Sequence, residues 1–562
     1  MTPTAEQKRI YDFIRYDSNH GVIDAVAGSG KTTTIIESIG YSDADKTLLF
    51  CAFNKSIRDE IQRRVNDIGR NNVTVKNLHQ LGFDILKSNY GNKYVVEEKK
   101  YNQLVKDSLN TYNKKVFERY LSLHDFDIER ENQFGNDLLR THLTTFQKRL
   151  RDIIDKFRLT LTENNLDKFK SMVSHFNIIP LSKVNERTID KEIELLFEAN
   201  NSVLQEGNTL ARNKMLIDLS DMVYLPYEFK LDPITRYDIL FVDECQDLSK
   251  SQLAVALKYV KKSGRVIAVG DPCQSIYGFT GADINSFRSF YKLPNHVTLS
   301  LSYCFRCPNV IIEYAKNFRP DIKPFKDKDG FIERIDFEIV IDKLLPNDLI
   351  ISRTKAPLTS LMFILLENNI RIDVHQDDIK DLINELRHMF STEELRMRDI
   401  FKTSYDFFEK VKDRNIYFIK KNASKIAKPQ EKEEYVENET DYLDRRIAFI
   451  KNQLSKHIDV NTINDLLKKI ESLVSGGEGA IKLSTIHRAK GLENNRVFIL
   501  DYDKLPMKKD DHQPWEIEQE HNLKYVALTR AKKTLYLVNS IKNNDPSKDE
   551  NESLFDSLDG II

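Results

Sequence analysis

Cysteine is scarce in this chain, with five residues among 562. Their number and spacing exclude a disulfide-rich framework, which favours a reducing intracellular compartment. The five are Cys51, Cys245, Cys273, Cys304 and Cys307. The single Cys-x-x-Cys pair they contain is weak support for a metal cluster, because structural metal sites need paired ligands.

A strong net charge is also missing, since the formal charge is only -1. Charge therefore neither indicates nor excludes a nucleic-acid partner, and any field that binds phosphates must be confined to a groove. A hydrophobic content of 40% and a charged content of 30% exclude general disorder. The length predicts roughly three to five domains.

Long apolar runs are absent as well. The longest, such as residues 361–366, are too short to span a bilayer, and residues 1–8 show no apolar signal region. We therefore expect a soluble, intracellular protein without a membrane partner.

The most informative stretch is AVAGSGKTTT at residues 25–34, between an apolar run and a helical pattern. It predicts a strand, a phosphate loop and a helix, with Lys31 reaching the β- and γ-phosphates and Thr32 offering its hydroxyl to Mg²⁺. Ala25 departs from the pattern, which has glycine there. The alternative is a glycine- and serine-rich turn that binds no ligand.

Two further strand ends carry polar residues. Asp243 and Glu244 directly follow the apolar run 237–242, and beside a phosphate loop they are predicted to hold Mg²⁺ and to orient and deprotonate the attacking water, respectively. Gln274 follows the apolar strand 265–269 and could sense a γ-phosphate. Tyr277 and Phe279 on the same loop suit stacking on bases, with core packing as the alternative.

The remaining sequence alternates between two patterns. Strand-like runs at 296–301, 349–351, 371–374, 480–484, 496–500 and 534–538 predict a second α/β sheet. Charged helical stretches at 87–215 and 390–475 predict two insertions. Their Lys and Arg residues could follow a phosphate backbone or simply form solvated helix faces. The segment 543–562 reads as an acidic flexible tail or a short docking peptide for a protein partner.

Together these residues resemble the UvrD/Rep/PcrA-like branch of superfamily 1 helicases, with some features of the F-box DNA helicase branch. Eight motifs carry the resemblance in the family's order: Gln7, 27–32, 53–55, 243–247, 270–277, Phe305-Arg306, 485–493 and 525–531. The resemblance implies an α/β protein with two RecA-like P-loop domains, ATP between them and DNA across both. The implied boundaries are 1–86 with 216–295 for the first domain, 87–215 for its insertion, 296–389 with 476–542 for the second, and 390–475 for its insertion.

The resemblance also implies roles for individual residues. The catalytic set is Glu244, Gln274, Arg306 and Arg530, the two arginines being fingers from the second domain. The nucleotide-binding set is Gln7, which reads adenine, Gly28, Ser29, Gly30, Lys31, Thr32, Thr33, Phe305, which stacks on the base, and Glu493, which binds ribose. Thr32 and Asp243 hold Mg²⁺. The DNA-binding set is Phe53, Asn54, His79, Tyr277, Phe279 and His487.

Three positions depart from the family pattern: Thr33 and Thr280 stand where arginine is common, and Asn494 stands where phenylalanine usually follows Gly-Leu-Glu. We therefore expect the coupling between DNA and ATP to differ. The predicted function is an ATP-dependent helicase, monomeric, that moves 3′ to 5′ on single-stranded and tailed duplex DNA in replication, repair or recombination. The alternatives are a translocase that displaces bound proteins without unwinding, and a non-motor ATP-binding scaffold.

Overall fold

The computed structural model describes residues 2–52, 55–91, 93–124, 137–179, 186–282, 285–368, 370–397, 404–423, 429–456, 461–474, 476–508 and 512–540. Two predicted DNA-binding residues, Phe53 and Asn54, lie outside the described residues, as does the predicted flexible tail at 543–562.

The strands are numbered in chain order. They are β1 His20–Ala25, β2 Leu48–Ala52, β3 Val73–Asn77, β4 Val95–Val96, β5 Leu216–Ile217, β6 Tyr237–Val242, β7 Val260–Gly270, β8 His296–Leu301, β9 Tyr303–Cys304, β10 Lys323–Pro324, β11 Phe331–Ile335, β12 Leu349–Ser352, β13 Ile372–Asp373, β14 Ile481–Thr485, β15 Asn494–Leu500 and β16 Ala531–Val538.

The α-helices are numbered in the same way. They are α1 Ala5–Tyr16, α2 Lys31–Ile39, α3 Lys55–Asp67, α4 Leu78–Tyr90, α5 Lys100–Asn110, α6 Lys114–Leu123, α7 Asp137–Thr160, α8 Leu166–His175, α9 Glu186–Asn213, α10 Leu219–Glu228, α11 Lys250–Lys258, α12 Ser286–Phe290, α13 Asn309–Ala315, α14 Val340–Lys343, α15 Lys355–Glu367, α16 Gln376–His388, α17 Thr392–Arg396, α18 Ser404–Ala423, α19 Pro429–Lys456, α20 Ile463–Leu473 and α21 Pro514–Leu528.

The first sheet has six strands in the order β3-β2-β6-β7-β1-β8, and every neighbouring pair is parallel. Parallel sheets covered on both faces need continuously apolar strands. Accordingly, all five residues of β2 and the last four of β6 are buried. Since β6, β7 and β1 are neighbours, the polar segments that follow them meet at one edge of the sheet.

A helical insertion interrupts this first sheet between β3 and β6. Helices α5 to α9 share an apolar core that contains Phe146, Phe169 and Leu196, all buried. A buried ion network lies between α7 and the start of α10: Arg158 contacts Asp218 at 2.8 Å and Asp221 at 2.9 Å. Charges buried this deeply are tolerated because each has a hydrogen-bonded partner of opposite sign.

The second sheet also has six strands, in the order β11-β16-β15-β12-β14-β13, again with parallel neighbours. The helices of the second predicted insertion share one apolar core with this sheet, which includes Phe363, Phe408 and Phe449. The predicted α/β class, with two parallel sheets as in RecA-like domains and helical segments inserted in each, is confirmed.

The chain divides into two compact units, and this division differs from the predicted domains in two places. Of the described residues, those within 1–307, 312–327 and 506–529 form the first unit. Those within 308–311 and 328–505 and from Arg530 onward form the second. The boundary predicted at 296 is wrong, because β8 completes the edge of the first sheet by pairing with β1 from His20 to Ala25. The segment 506–529, predicted to belong to the second domain, lies in the first unit.

Candidate active site

The loop between β1 and α2 has the backbone that a phosphate loop requires. Gly28 and Gly30 have φ of +68° and +74°, a left-handed conformation that costs glycine little. A methyl group at Gly28 would lie 2.7 Å from Cβ of Arg306, so the close approach also requires glycine. The internal ladder of α2 begins with Thr34 N–H donating to the Gly30 carbonyl at 2.8 Å. The N–H groups of residues 31–33 therefore precede the ladder and suit an anion.

Two side chains of the loop fit the same interpretation. The Ser29 hydroxyl is buried and has no hydrogen-bond partner among the described residues. Such a group costs free energy unless a ligand or water binds it. Lys31 is only 8% exposed at the first position of α2. The loop thus offers a hydroxyl, an ammonium group and free N–H groups to phosphate oxygens, and Ala25 is accommodated as a buried end of β1.

Thr32 and Asp243 lie side by side, as the sequence predicts for a Mg²⁺ site. The Thr32 hydroxyl donates to Oδ2 of Asp243 at 2.7 Å. Burial, followed by the neighbouring charge of Glu244, raises the pKa of Asp243 to about 6, whereas the Thr32 hydrogen bond and the Lys31 charge lower it. A carboxylate and a hydroxyl are oxygen ligands of the kind Mg²⁺ prefers, so the residues present fit this cation.

Glu244 is positioned by an unusual backbone and by Gln246. Its φ of +50° places it in the left-handed region, which is uncommon for a residue with a side chain and marks a constrained position. Gln246 donates its amide to Oε2 of Glu244 at 2.6 Å, while its own oxygen accepts from the Asp271 N–H at 3.1 Å. Sequence reasoning named Gln246 only as part of a motif and gave it no role. Its position two residues after Glu244 was the feature that could have indicated its contact with that carboxylate.

Gln274 lies in the same cluster. It donates to Oδ2 of Asp271 at 2.6 Å, and both residues are buried. Asp271 also receives the Tyr525 hydroxyl at 3.4 Å and lies 3.7 Å from Arg319, which pairs with Asp24 at 2.6 Å. Sequence reasoning missed the contact of Gln274 with Asp271 and the contacts of Asp271 with Tyr525 and Arg319. Tyr525 and Arg319 are distant in sequence, so no local pattern indicates their contact with Asp271.

Phe305 and Arg306 lie against the phosphate loop. The Phe305 N–H donates to the Gly28 carbonyl at 2.8 Å, and its ring lies 3.9 Å from the position of a methyl group at Gly30. Arg306 donates to the Thr529 carbonyl at 3.1 Å. Arg306 is therefore part of the first unit, which corrects the prediction that the second domain supplies it. The cause is β8, which carries the chain along β1 and delivers Phe305 and Arg306 directly to the loop.

Both ends of the Gln7 side-chain amide are hydrogen-bonded. Its amide oxygen accepts from the Thr4 N–H at 2.9 Å, which caps α1, and its amide nitrogen donates to the Thr34 hydroxyl at 2.9 Å. Gln7 is thus fixed to the first turns of α2, beside the loop. Thr33 is half-buried on the same helix. The structure places both residues next to the candidate site, and adenine recognition by Gln7 stays a prediction.

In the second unit, the predicted residues cluster around the start of β15 and β16. Arg530, buried, donates to the Leu492 carbonyl at 3.3 Å, and Glu493 pairs with Lys532 at 2.6 Å. The side-chain amide of Asn494 donates to the Asn347 carbonyl at 2.6 Å. Asn494, which departs from the family pattern, therefore has a local structural role. His487 is half-buried in the segment after β14.

The predicted DNA-binding residues of the first unit differ in exposure. Phe279 is 48% exposed, which favours the stacking alternative over core packing, whereas Tyr277 is half-buried. Thr280 is exposed and donates to the Tyr277 carbonyl at 2.8 Å. His79 is half-buried at the start of α4, where burial lowers the pKa of its imidazole and the Asp218 charge raises it.

The cysteines do not converge on a metal. In the described part of the chain, no group of three or more His, Cys, Asp or Glu side chains is arranged to hold one. Cys304 and Cys307 are buried neighbours: the Cys307 N–H donates to the Cys304 sulfur at 3.4 Å. A hydrogen bond from the Cys307 side chain is the main cause that lowers the pKa of Cys304 to about 6.

The described geometry defines a class of protein: an α/β protein with a phosphate loop, a threonine and aspartate pair suited to Mg²⁺, and an adjacent glutamate. A family model described as the UvrD/REP helicase N-terminal domain matches residues 5–295, and one described as the UvrD-like helicase C-terminal domain matches residues 481–538. The chain therefore belongs to the UvrD/REP helicase family, which confirms the resemblance.

Individual relatives are distant. F-box DNA helicase 1 of Gallus gallus is 25% identical, over 96% of this chain and 49% of that protein. F-box DNA helicase protein 1 of Schizosaccharomyces pombe is 23% identical, over 96% of this chain and 57% of that protein. ATP-dependent DNA helicase PcrA of Bacillus subtilis is 22% identical, over 92% of this chain and 80% of that protein. The chain thus spans about half the length of the chicken relative. Among the described residues, no helix is long and apolar enough to cross a membrane.

Proposed function

We propose that this chain is an ATP-dependent DNA helicase that translocates 3′ to 5′ on single-stranded DNA and separates tailed duplex. The observation that carries the proposal is the contact between Thr32 and Asp243 at 2.7 Å beside Glu244. It joins the phosphate loop to the one pair of adjacent acids predicted for hydrolysis. The names of relatives such as ATP-dependent DNA helicase PcrA support the ATP-dependent DNA helicase part of the proposal.

The residues of the first unit divide the work of hydrolysis. Lys31 and the N–H groups of residues 31–33 bind the phosphates of ATP. Thr32 and Asp243 would hold Mg²⁺, which when bound neutralises charge on those phosphates. Glu244 orients the attacking water and accepts its proton, held in place by Gln246. Gln274, fixed by Asp271, senses the γ-phosphate.

Arginines complete the proposed site. Arg306 stands beside Gly28 in the first unit, where its guanidinium suits the charge that develops on the γ-phosphate. We propose that Arg530 is supplied by the second unit when the two units close on ATP, with Glu493 on the ribose. Alternation between closed and open states would then move the strand, as in other motors that use arginine fingers.

The proposed DNA side combines stacking with positive charge. A cavity of about 540 Å³ in the first unit is lined by three cations, two carboxylates and aromatic rings, among them Lys148, Arg149, Lys156, Asp152, Glu516, Phe176 and Phe279. Stacking on aromatic rings and backbone contacts to lysine suit single strands of any sequence, because every base has a π-face. This lining supports the alternative in which cations of the helical insertion follow a phosphate backbone. Tyr277, His79 and His487 remain proposed contacts.

Strand displacement on tailed substrates tests the proposal. We expect ATP-dependent separation of a duplex with a 3′ single-stranded tail and little separation of one with a 5′ tail. Preference for the 5′ tail would contradict the polarity. DNA-stimulated ATP hydrolysis without separation of either duplex would favour a translocase that displaces proteins, and no hydrolysis at all would favour a scaffold.

A further inference from the structure

Helix α21 contacts the aromatic loop and the phosphate loop with one row of side chains. The row is Trp515, Gln519, Asn522 and Tyr525, each at most 8% exposed. Spacings of four, three and three residues place these side chains on one stripe of an α-helix. Polar side chains on a buried stripe require partners, and each has a partner on a different segment of the first unit.

The outer end of the row holds the aromatic loop, residues 277–280. The Gly278 N–H donates to Oε1 of Gln519 at 2.9 Å. A methyl group at Gly278 would lie 2.8 Å from the Trp515 ring, so the loop touches the helix without room for a side chain. Trp515 in turn donates to the His175 carbonyl at 2.7 Å and stacks on the His175 ring. The loop, the helix and the helical insertion are therefore packed together.

The inner end of the row holds the phosphate loop. The Ala27 N–H donates to the Tyr525 hydroxyl at 3.0 Å, and this hydroxyl donates to Asp271 at 3.4 Å. Between the two ends, Asn522 donates to the carbonyls of Pro272 at 3.3 Å and Ser275 at 3.0 Å. Burial, followed by the Asp271 charge, raises the pKa of Tyr525 well above its usual value, so its hydroxyl keeps the proton it donates.

We propose that α21 couples occupancy of the aromatic loop to hydrolysis at the phosphate loop, with Gln519 and Tyr525 as its two positioning residues. The inference rests on the proposed function. Gln519 and Tyr525 are six residues apart, which is about 9 Å along an α-helix. A displacement of Gly278 by a base stacked on Phe279 would press on Gln519 and Trp515, and the rigid helix would carry it to Tyr525, Ala27 and Asp271.

The test compares ATP turnover with and without an oligothymidylate strand. In Gln519→Leu, which removes the acceptor of the Gly278 N–H, we expect the stimulation by DNA to fall at least about fivefold, the equivalent of one hydrogen bond. Turnover without DNA should change less than about twofold, because Gln519 contacts the aromatic loop rather than the phosphate loop. Stimulation is compared at saturating oligothymidylate, so that a change in affinity for the strand does not lower it. Gln519→Glu keeps an acceptor oxygen and should retain most of the stimulation. Glu518→Leu, on the exposed side of the same helix, is the matched control.

A double-mutant cycle with Tyr525→Phe then separates coupling from two local effects. If both residues act through one helix, the double variant loses no more stimulation than the more severe single variant. Multiplicative losses, or normal stimulation in Gln519→Leu, would overturn the inference. If Gln519→Leu melts far below the control, Gly278→Ala perturbs the same contact from the loop and should give the same loss. A wild-type protein that DNA does not stimulate would instead refute the proposed function.

Discussion

Replacing Gly28 with alanine tests the geometry of the phosphate loop, and the chain supplies a matched control. Gly28 and Gly69 have nearly the same backbone, with φ of +68° and +72°. A methyl group at Gly69 would meet no atom within 4 Å, whereas one at Gly28 would lie 2.7 Å from Cβ of Arg306 and 3.0 Å from the Cys304 sulfur. The two variants therefore share the backbone cost and differ only in packing.

The expected losses in the free energy of unfolding follow from the backbone cost and the packing cost. Alanine in the left-handed region costs about 1 kcal/mol, which is the whole expected loss for Gly69→Ala. Overpacking adds about 1–3 kcal/mol for Gly28→Ala, since its neighbours include a backbone-adjacent Cβ that cannot rotate away. The expected loss for Gly28→Ala is then about 2–4 kcal/mol in the free energy of unfolding.

Urea denaturation, followed by fluorescence, measures both losses. We also expect weaker binding of a labelled nucleotide by Gly28→Ala, by about tenfold if 1.4 kcal/mol of the strain persists in the complex, and unchanged binding by Gly69→Ala. Equal denaturation midpoints for the two variants would refute the contact between Gly28 and Arg306, and with it the placement of Arg306 at the loop.

Two further predictions concern stability. Arg158→Leu should lower the free energy of unfolding by about 3–5 kcal/mol, because it leaves the buried Asp218 without its cation and Asp221 with Lys100 alone. The exposed pair of Arg119 and Glu198 predicts a loss below about 1 kcal/mol for Arg119→Leu. Similar thermal shifts in the two variants would contradict this. At Asp238, burial is outweighed by hydrogen bonds from Lys261 and Thr47, which lower the pKa to about 2. The carboxylate therefore stabilises the fold at any pH above its unfolded pKa of 3.8. Asp238→Asn should lower the free energy of unfolding by about 1 kcal/mol at neutral pH. In a pH series of urea denaturations, the difference from wild type should shrink as the pH falls from 3.8 toward 2.

Features that depend on neighbours in sequence were predicted well. The phosphate loop, the acids after β6 and the strands of both sheets follow from residues that lie next to one another, and hydrophobic runs ending in polar residues read clearly as buried parallel strands. The predicted proximity of Thr32 and Asp243 also follows from local patterns, because the carboxyl ends of all parallel strands in a sheet lie at the same edge.

Features that depend on contacts between distant segments were not predicted. The run 296–301 reads as a strand whichever sheet it joins, and only its pairing with β1 assigns it, and Arg306 after it, to the first unit. The return of α21 to the first unit was missed for the same reason: its contacts with Ala27 and Gly278 join residues about 500 and 240 positions apart in sequence. The role of Gln7 in adenine recognition was predicted from its residue type and position. Its hydrogen bonds to Thr4 and Thr34 are visible only in the fold.

The most direct test of the central claim is the ATP turnover of wild type and Glu244→Gln, each measured with and without single-stranded DNA. The substitution keeps the size of the side chain and its hydrogen bonding to Gln246 but removes the base. We expect DNA to stimulate the ATP turnover of wild type. The DNA-stimulated turnover of Glu244→Gln should be at least about 100-fold lower, although the variant should still bind labelled nucleotide. DNA-stimulated turnover that survives in Glu244→Gln would contradict the account.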